Sequence, residues 1–185
     1  MGRKLYKVLE DGRSCSGGHL SWSVPTQDES GEWQPGDWHE VEGELQLCKR
    51  GLHLTWDPAQ WYAQGRDVYE CEAERLGEET DDAAKIVVGR ARLTRRLSDE
   101  ELAELRIYRY GEHEIHEGAC HVSGSASVRA RGSASVEARG SASVEAYEVS
   151  TIIAHWGSAT VALRDRAVLV DQRGKKPVVR IAGQE

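Results

Sequence analysis

Apolar and polar residues follow two different patterns along this chain. From residue 124 onward, apolar side chains fall on every second position inside a repeating block of eight. Residues 124–131, 132–139 and 140–147 share the frame Gly-Ser-Ala-Ser-Val-x-Ala-x. Such alternation predicts a strand with one buried and one wet face. Gly at the first position suits a corner between strands. A helix does not fit, because the apolar spacing is two. Residues 148–155 form a weaker copy, Trp156 is a single inserted residue, and residues 157–164 and 165–172 resume the frame. Gly118, Cys120 and Val122 extend it backwards. A repeat of fixed period sets the architecture before any local propensity does.

The inward residues are small: Ala126, Val128, Ala134, Val136, Ala142 and Val144. Opposing walls must therefore lie close together. A two-walled β-solenoid satisfies this, with two octads per coil, coils about 4.8 Å apart, and roughly three to four coils. Vertical neighbours are then sixteen residues apart. Arg129 lies over Glu145, Arg131 over Tyr147, and Ser125 and Ser127 over Ser141 and Ser143. One octad per coil would instead oppose Arg131 and Arg139. The ends of a solenoid are unpaired strand edges. The N-terminal module is expected to cap one end, and Lys175, Lys176 and Pro177, just before residues 178–181, to close the other.

The first part of the chain predicts a different fold. Residues 5–9 read as a strand followed by a Gly/Ser-rich loop over 11–18, and residues 25–37 as a turn-rich loop. Val41, Leu45 and Leu47 suggest a strand with a bulge or turn at Gly43. Residues 52–55, 68–73 and 85–93 suggest further strands, the last two joined by an acidic turn over 77–82. Asp57-Pro58 is a helix start, predicting a short helix that stops at Gly65. Ser98 with Glu101 forms a capping box for a helix reaching about Tyr108. Five of the six tryptophans, Trp22, Trp33, Trp38, Trp56 and Trp61, lie in this part and suggest an indole-built core. The expected architecture is an α+β module with a Trp-rich core over 1–117, then a short all-β solenoid with a C-terminal cap over 118–185.

Charge separates the same two parts. Residues 1–117 carry 15 basic and 25 acidic side chains, and residues 118–185 carry 9 and 6. An acidic first part repels nucleic acid, and nothing resembles a basic footprint with interleaved aromatics. No apolar run approaches the roughly 20 residues of a membrane helix, and no hydrophobic leader is evident. The four widely spaced cysteines, Cys15, Cys48, Cys71 and Cys120, read as reduced thiols. Together these predict a cytoplasmic protein without membrane or nucleic-acid partners.

The octads resemble those of bacterial ice-nucleation proteins, which also use eight-residue Gly/Ser/Ala/Thr units in sixteen-residue coils. That resemblance implies a water- or ice-ordering rank, here Ser125/Ser127, Ser133/Ser135, Ser141/Ser143 and Ser158/Thr160. The first 95 residues resemble a domain of unknown activity in actinobacterial and phage proteins. The residues that carry this likeness are 7–9, 12–15, 17–18, 36–41, 48–55 and 85–88. It implies a module with short repeats behind it and a phage context. Residues 51–55 with 58–63 are similar to the middle motif of ADP-ribosyltransferases. That resemblance implies an NAD-using site with Thr55 and a late Glu, Glu112 or Glu114. His53 stands where an aromatic is usual, and no opening motif precedes it. Zinc is a further option: Cys15, His19, Cys48 and His53 could supply two thiolates and two imidazoles, although neither pair has the common tight spacing.

The sequence favours binding or self-assembly without catalysis, and without cofactor. The expected surface, for a protein partner or a second copy, is Ser125, Ser127, Arg129, Ser133, Ser135, Glu137, Ser141, Ser143 and Glu145. An ADP-ribosyltransferase-like enzyme and an ice-ordering surface are the alternatives.

Overall fold

The computed structural model describes residues 3–14, 20–62, 67–80 and 84–183, without the side chain of Trp156. The chain divides into two compact units, Met1–Ser98 and Asp99–Glu185. This division precedes the 117/118 boundary read from sequence, because residues 107–115 already pair into the solenoid's sheets.

Unit 1 is β-rich, not α+β. Its strands are β1 (Leu5–Glu10), β2 (Arg13–Ser14), β3 (Thr26–Gln27), β4 (Trp33–Gln34), β5 (His39–Glu40), β6 (Leu52–Leu54), β7 (Asp67–Glu79) and β8 (Ile86–Arg96). An antiparallel sheet runs β2-β1-β7-β8-β5, and β6 also pairs with β8. The long β7–β8 hairpin dominates because it alternates. Most of its apolar side chains face the core, while Glu70, Glu72 and Glu74 meet Arg95, Arg92 and Arg90 across the outer face. Among the described residues of unit 1, the only helical piece is a 3₁₀ turn, Pro58–Trp61. Asp57 caps it, its carboxylate accepting from Ala59 N–H at 3.1 Å. Gly65 lies outside the described residues. Residues 41–51 form a loop instead of the predicted strand, and β3 with β4 makes a small hairpin inside the expected loop.

The core of unit 1 is mainly aliphatic. Leu5, Leu9, Leu52, Leu54, Ile86, Val88 and Leu93 pack with Tyr69 and Trp22. Trp22 is the one buried indole of the five. Trp38 lies instead under the guanidinium groups of Arg90 and Arg92, at 4.2 and 4.8 Å.

Unit 2 opens with α1 (Asp99–Glu104), shorter than predicted. Arg106 turns the chain with φ 60°, and Tyr108 belongs to β9 (Ile107–Tyr108) instead of the helix. Nine strands follow: β10 (Glu112–Ile115), β11 (Ala119–Val122), β12 (Ser127–Ala130), β13 (Ser135–Gly140), β14 (Ser143–Ala146), β15 (Thr151–Gly157), β16 (Thr160–Leu163), β17 (Val168–Asp171) and β18 (Val178–Ile181). They form a β-solenoid of about four turns over residues 107–171. One wall is β10-β12-β14-β16, and the other is β9-β11-β13-β15-β17 with β18 antiparallel at its edge.

The sixteen-residue register holds through the regular octads. Val128 pairs with Val144 and Arg129 with Glu145, while Val136 pairs with Ile152. Trp156 acts as the inserted residue: Ala138 pairs with Ala154, but Gly140 pairs with Gly157 after a bulge. All six predicted inward side chains are buried. Each wholly buried valine stabilises by about 1.5–3 kcal/mol.

The corners are left-handed. Gly124, Gly132 and Gly140 have φ of 58°, 53° and 61°. Two degenerate octads keep this geometry without glycine, with Glu148 at φ 57° and Asp165 at φ 55°. Their carboxylates are useful there. Glu148 accepts from Gly132 N–H at 3.0 Å, and Asp165 accepts from Glu148 N–H at 3.1 Å. The corner amides of Gly132 and Glu148 are thus satisfied by the next coil.

Candidate functional site

The nominated solenoid surface divides between walls. Ser127, Arg129, Ser143 and Glu145 lie outward on β12 and β14, whereas Ser135 and Glu137 lie on β13 of the other wall. Ser125, Ser133 and Ser141 sit at the corners and are exposed. Two octads per coil send alternate octads to opposite faces, so these residues make no single flat array. The predicted ladder contacts are present. Arg129 Nε donates to Glu145 at 3.2 Å, and the Arg131 guanidinium lies 4.7 Å from the Tyr147 ring. The rank Ser127–Ser143–Thr160 is three members long, with Arg129 and Glu145 beside its first two members.

The second wall changes character along its length. In the middle, Glu137 Oε2 lies 3.4 Å from His121 Nδ1 and 3.2 Å from His155 Nε2, and it accepts from Arg139 Nη2 at 2.9 Å. The contact from His121, aided by the charges of Arg139 and His155, outweighs partial desolvation. It holds the Glu137 carboxyl down at about 2. Toward β18 the outward positions turn apolar. Ile153 pairs with Val170, Val170 with Val179, and Val168 with Ile181, and opposed residues share a face.

β18 is the terminal strand of this wall, and all four of its residues are exposed. Val178, Val179 and Ile181 are 49%, 62% and 38% exposed. Ala182 N–H donates to Ala167 C=O. That bond fixes the parity of the pairing, so the backbone N–H and C=O of Val179 and Ile181 point to the free edge. Lys175 and Lys176 lie exposed in the turn before Pro177. Arg173 folds over the coil end, donating to Ala159 C=O at 2.6 Å while forked onto Asp171.

In unit 1, a cavity of about 390 Å³ is lined by Lys7, Lys49, His53, Thr55, Trp61 and Lys85, among others. Thr55 is 5% exposed, and its hydroxyl is tied to backbone: it lies 2.6 Å from Ala84 C=O and accepts from Asp57 N–H at 3.0 Å. Glu112 and Glu114, the proposed transferase carboxylates, belong to β10 in unit 2, where Glu114 accepts from Arg131 at 2.6 Å. Of the zinc set, Cys15 and His19 lie outside the described residues. Cys48 N–H donates to His53 Nε2 at 2.9 Å, which places the imidazole proton on Nδ1. Cys48 Sγ lies 3.2 Å from Lys85 Nζ. Among the described residues, no group of three or more His, Cys, Asp or Glu could hold a metal ion. No helix among them is long and apolar enough to cross a membrane. Sequence reasoning named His53 for zinc but missed the lysines around it, because Lys7, Lys49 and Lys85 are far apart in the chain and meet only through folding.

The profile of a domain of unknown function (DUF7666) matches residues 3–105, and the chain belongs to that family. No curated protein and no solved structure matches the chain.

Proposed function

We propose that this is a non-catalytic assembly protein whose solenoid pairs with a second copy through β18. The observation that carries the reading is the free, apolar edge of β18. A two-fold antiparallel pairing centred on Val179 opposes Val179 to its copy. It sets Arg180 against Val178, so the two arginines are diagonal neighbours and not directly opposed. An isologous contact of this kind closes on itself and gives a dimer. Pro177 lacks an N–H and forfeits one ladder bond per copy. The apolar outward stripe of Ile153, Val168, Val170, Val179 and Ile181 then continues across both copies.

The cations Lys175, Lys176 and Arg180 repel their copies, which makes the contact weak and salt-sensitive. Light scattering across a concentration series tests this. Mass should rise toward twice the monomer, more readily at 0.5 M than at 0.05 M salt. Val179→Lys should leave a monomer with an unchanged melting temperature. A wild-type monomer at every concentration and salt would overturn the reading. Association that weakens with salt would also overturn it, and would point to contact between opposite charges on the two copies instead.

A further inference from the structure

We infer that the cavity of unit 1 binds a small organic phosphate that carries a flat ring, with Lys85 and Lys49 holding the phosphate. Unit 1 is acidic, with 13 basic and 18 acidic side chains in residues 1–98. Its arginines Arg90, Arg92 and Arg95 are paired with Glu74, Glu72 and Glu70 on the sheet's outer face, and Arg96 is paired with Asp67. The cavity departs from that balance. Among the described residues its lining carries three lysines and no carboxylate. Excess cation in a concave site inside an acidic unit selects for a small anion that supplies the missing charge.

Two of the lysines have a definite setting, and Lys49 is exposed at the rim. Lys7 is buried, its ammonium donating to His53 C=O at 2.9 Å and lying 3.4 Å from Ser14 Oγ. Lys85 is half-buried, 5.1 Å from the Trp61 ring, with the Cys48 sulfur as its hydrogen-bonding contact. Among the described residues, neither Lys49 nor Lys85 forms an ion pair. The field is felt by His53. Burial first, then the charges of Lys85 and Lys7, hold its imidazole below the ordinary value and keep it neutral. Flat and apolar groups make up much of the remaining lining, Tyr6, Trp22, Trp61, Leu52 and Leu54 among them, beside the small polar Ser14, Cys48 and Thr55. Its volume, about 390 Å³, falls within the range of small-molecule sites. Ammonium groups bind phosphate as point charges, and indoles take a planar body.

Isothermal calorimetry on the full chain with ADP, adenosine and pyrophosphate tests the assignment. ADP should bind about tenfold or more tightly than adenosine, and its affinity should fall as salt rises. Lys85→Gln and Lys49→Gln should each weaken ADP by about tenfold. Lys49 is exposed, so its variant should melt like wild type and keep the test valid even if Lys85→Gln loosens the cavity. Absence of heat with both ADP and pyrophosphate at millimolar concentration would overturn the inference. So would equal affinity for adenosine and ADP, or ADP binding unchanged in both variants.

Discussion

The two units bury apolar surface in opposite ways. Unit 2 repeats one small solution: Ala and Val at alternate positions, stacked coil on coil, so that each wall is close to the other and fully packed. Unit 1 uses Leu, Ile, Tyr and Trp on strands of two to thirteen residues, joined by irregular segments. Repetition leaves little room for a pocket, so chemistry in unit 2 is confined to its edges and outer faces. Irregularity leaves a concavity, and unit 1 has one lined by lysine and indole. Fold regularity and binding-site geometry are thus traded against each other within one chain.

The sharpest way to break this contrast is to charge the repetitive core. Val136 is wholly buried between pairs on both sides, Cys120 and Ile152. Val136→Asp is predicted to destabilise unit 2 by about 4 kcal/mol or more, because an unpaired carboxylate enters an apolar wall. Chemical denaturation followed by circular dichroism checks it, and a wild-type midpoint would reverse the inward assignment. Glycines give the next largest difference. A Cβ on Gly132 would stand 2.5 Å from His116 C=O, at φ 53°, whereas one on Gly31 in unit 1 meets nothing within 4 Å, at φ 83°. Gly132→Ala should cost about 2–3 kcal/mol and Gly31→Ala about 1 kcal/mol. Equal costs would mean that the solenoid corner relaxes freely.

The same contrast decides what could be read in advance. The solenoid, its two-octad coil, its inward residues and the Trp156 insertion were legible, because a period of eight with alternation leaves few packings open. The corner ladder was not. Glu148 and Asp165 look like lost glycines in the sequence, and only stacking reveals that their carboxylates satisfy the amides of neighbouring corners. In unit 1, strands β1, β6, β7 and β8 were visible from apolar alternation. The tryptophans misled, since indoles also serve as platforms for guanidinium groups at the surface, as Trp38 does. The short helices implied by Asp57 and Ser98 are real starts that stop early. One is a single 3₁₀ turn in unit 1, and the other, at the start of unit 2, ends before Arg106, so neither makes the N-terminal part of the chain α+β. The lysine-lined cavity was illegible because no local pattern links its residues.

A smaller effect separates the polar faces. Glu137 has an ordinary value of 4.5 and is held at about 2 by His121, Arg139 and His155. A lowered carboxyl stabilises the fold fully above the unfolded value, and that contribution disappears as pH falls from 4.5 toward 2. Denaturant midpoints of wild type should therefore drop between pH 5.5 and pH 3 more than those of Glu137→Gln. Parallel pH profiles for the two proteins would remove Glu137 from the acid response.

The smallest expected effect concerns the exposed ladder. Arg129 and Glu145 are vertical neighbours in the sixteen-residue register, 3.2 Å apart, with both side chains largely in water. Screening leaves such a pair little net stability, so Arg129→Ala should move the melting midpoint barely at all. Charge reversal is more telling than deletion. Arg129→Glu puts two carboxylates on adjacent coils and should lower the midpoint slightly at low salt, with Glu145→Arg in the same chain restoring it. Restoration by the double change identifies the two residues as stacked neighbours, since distant sites act additively. Plain additivity would mean that these coils do not stack in this register, and the packing argument for two octads per turn would lose its surface support.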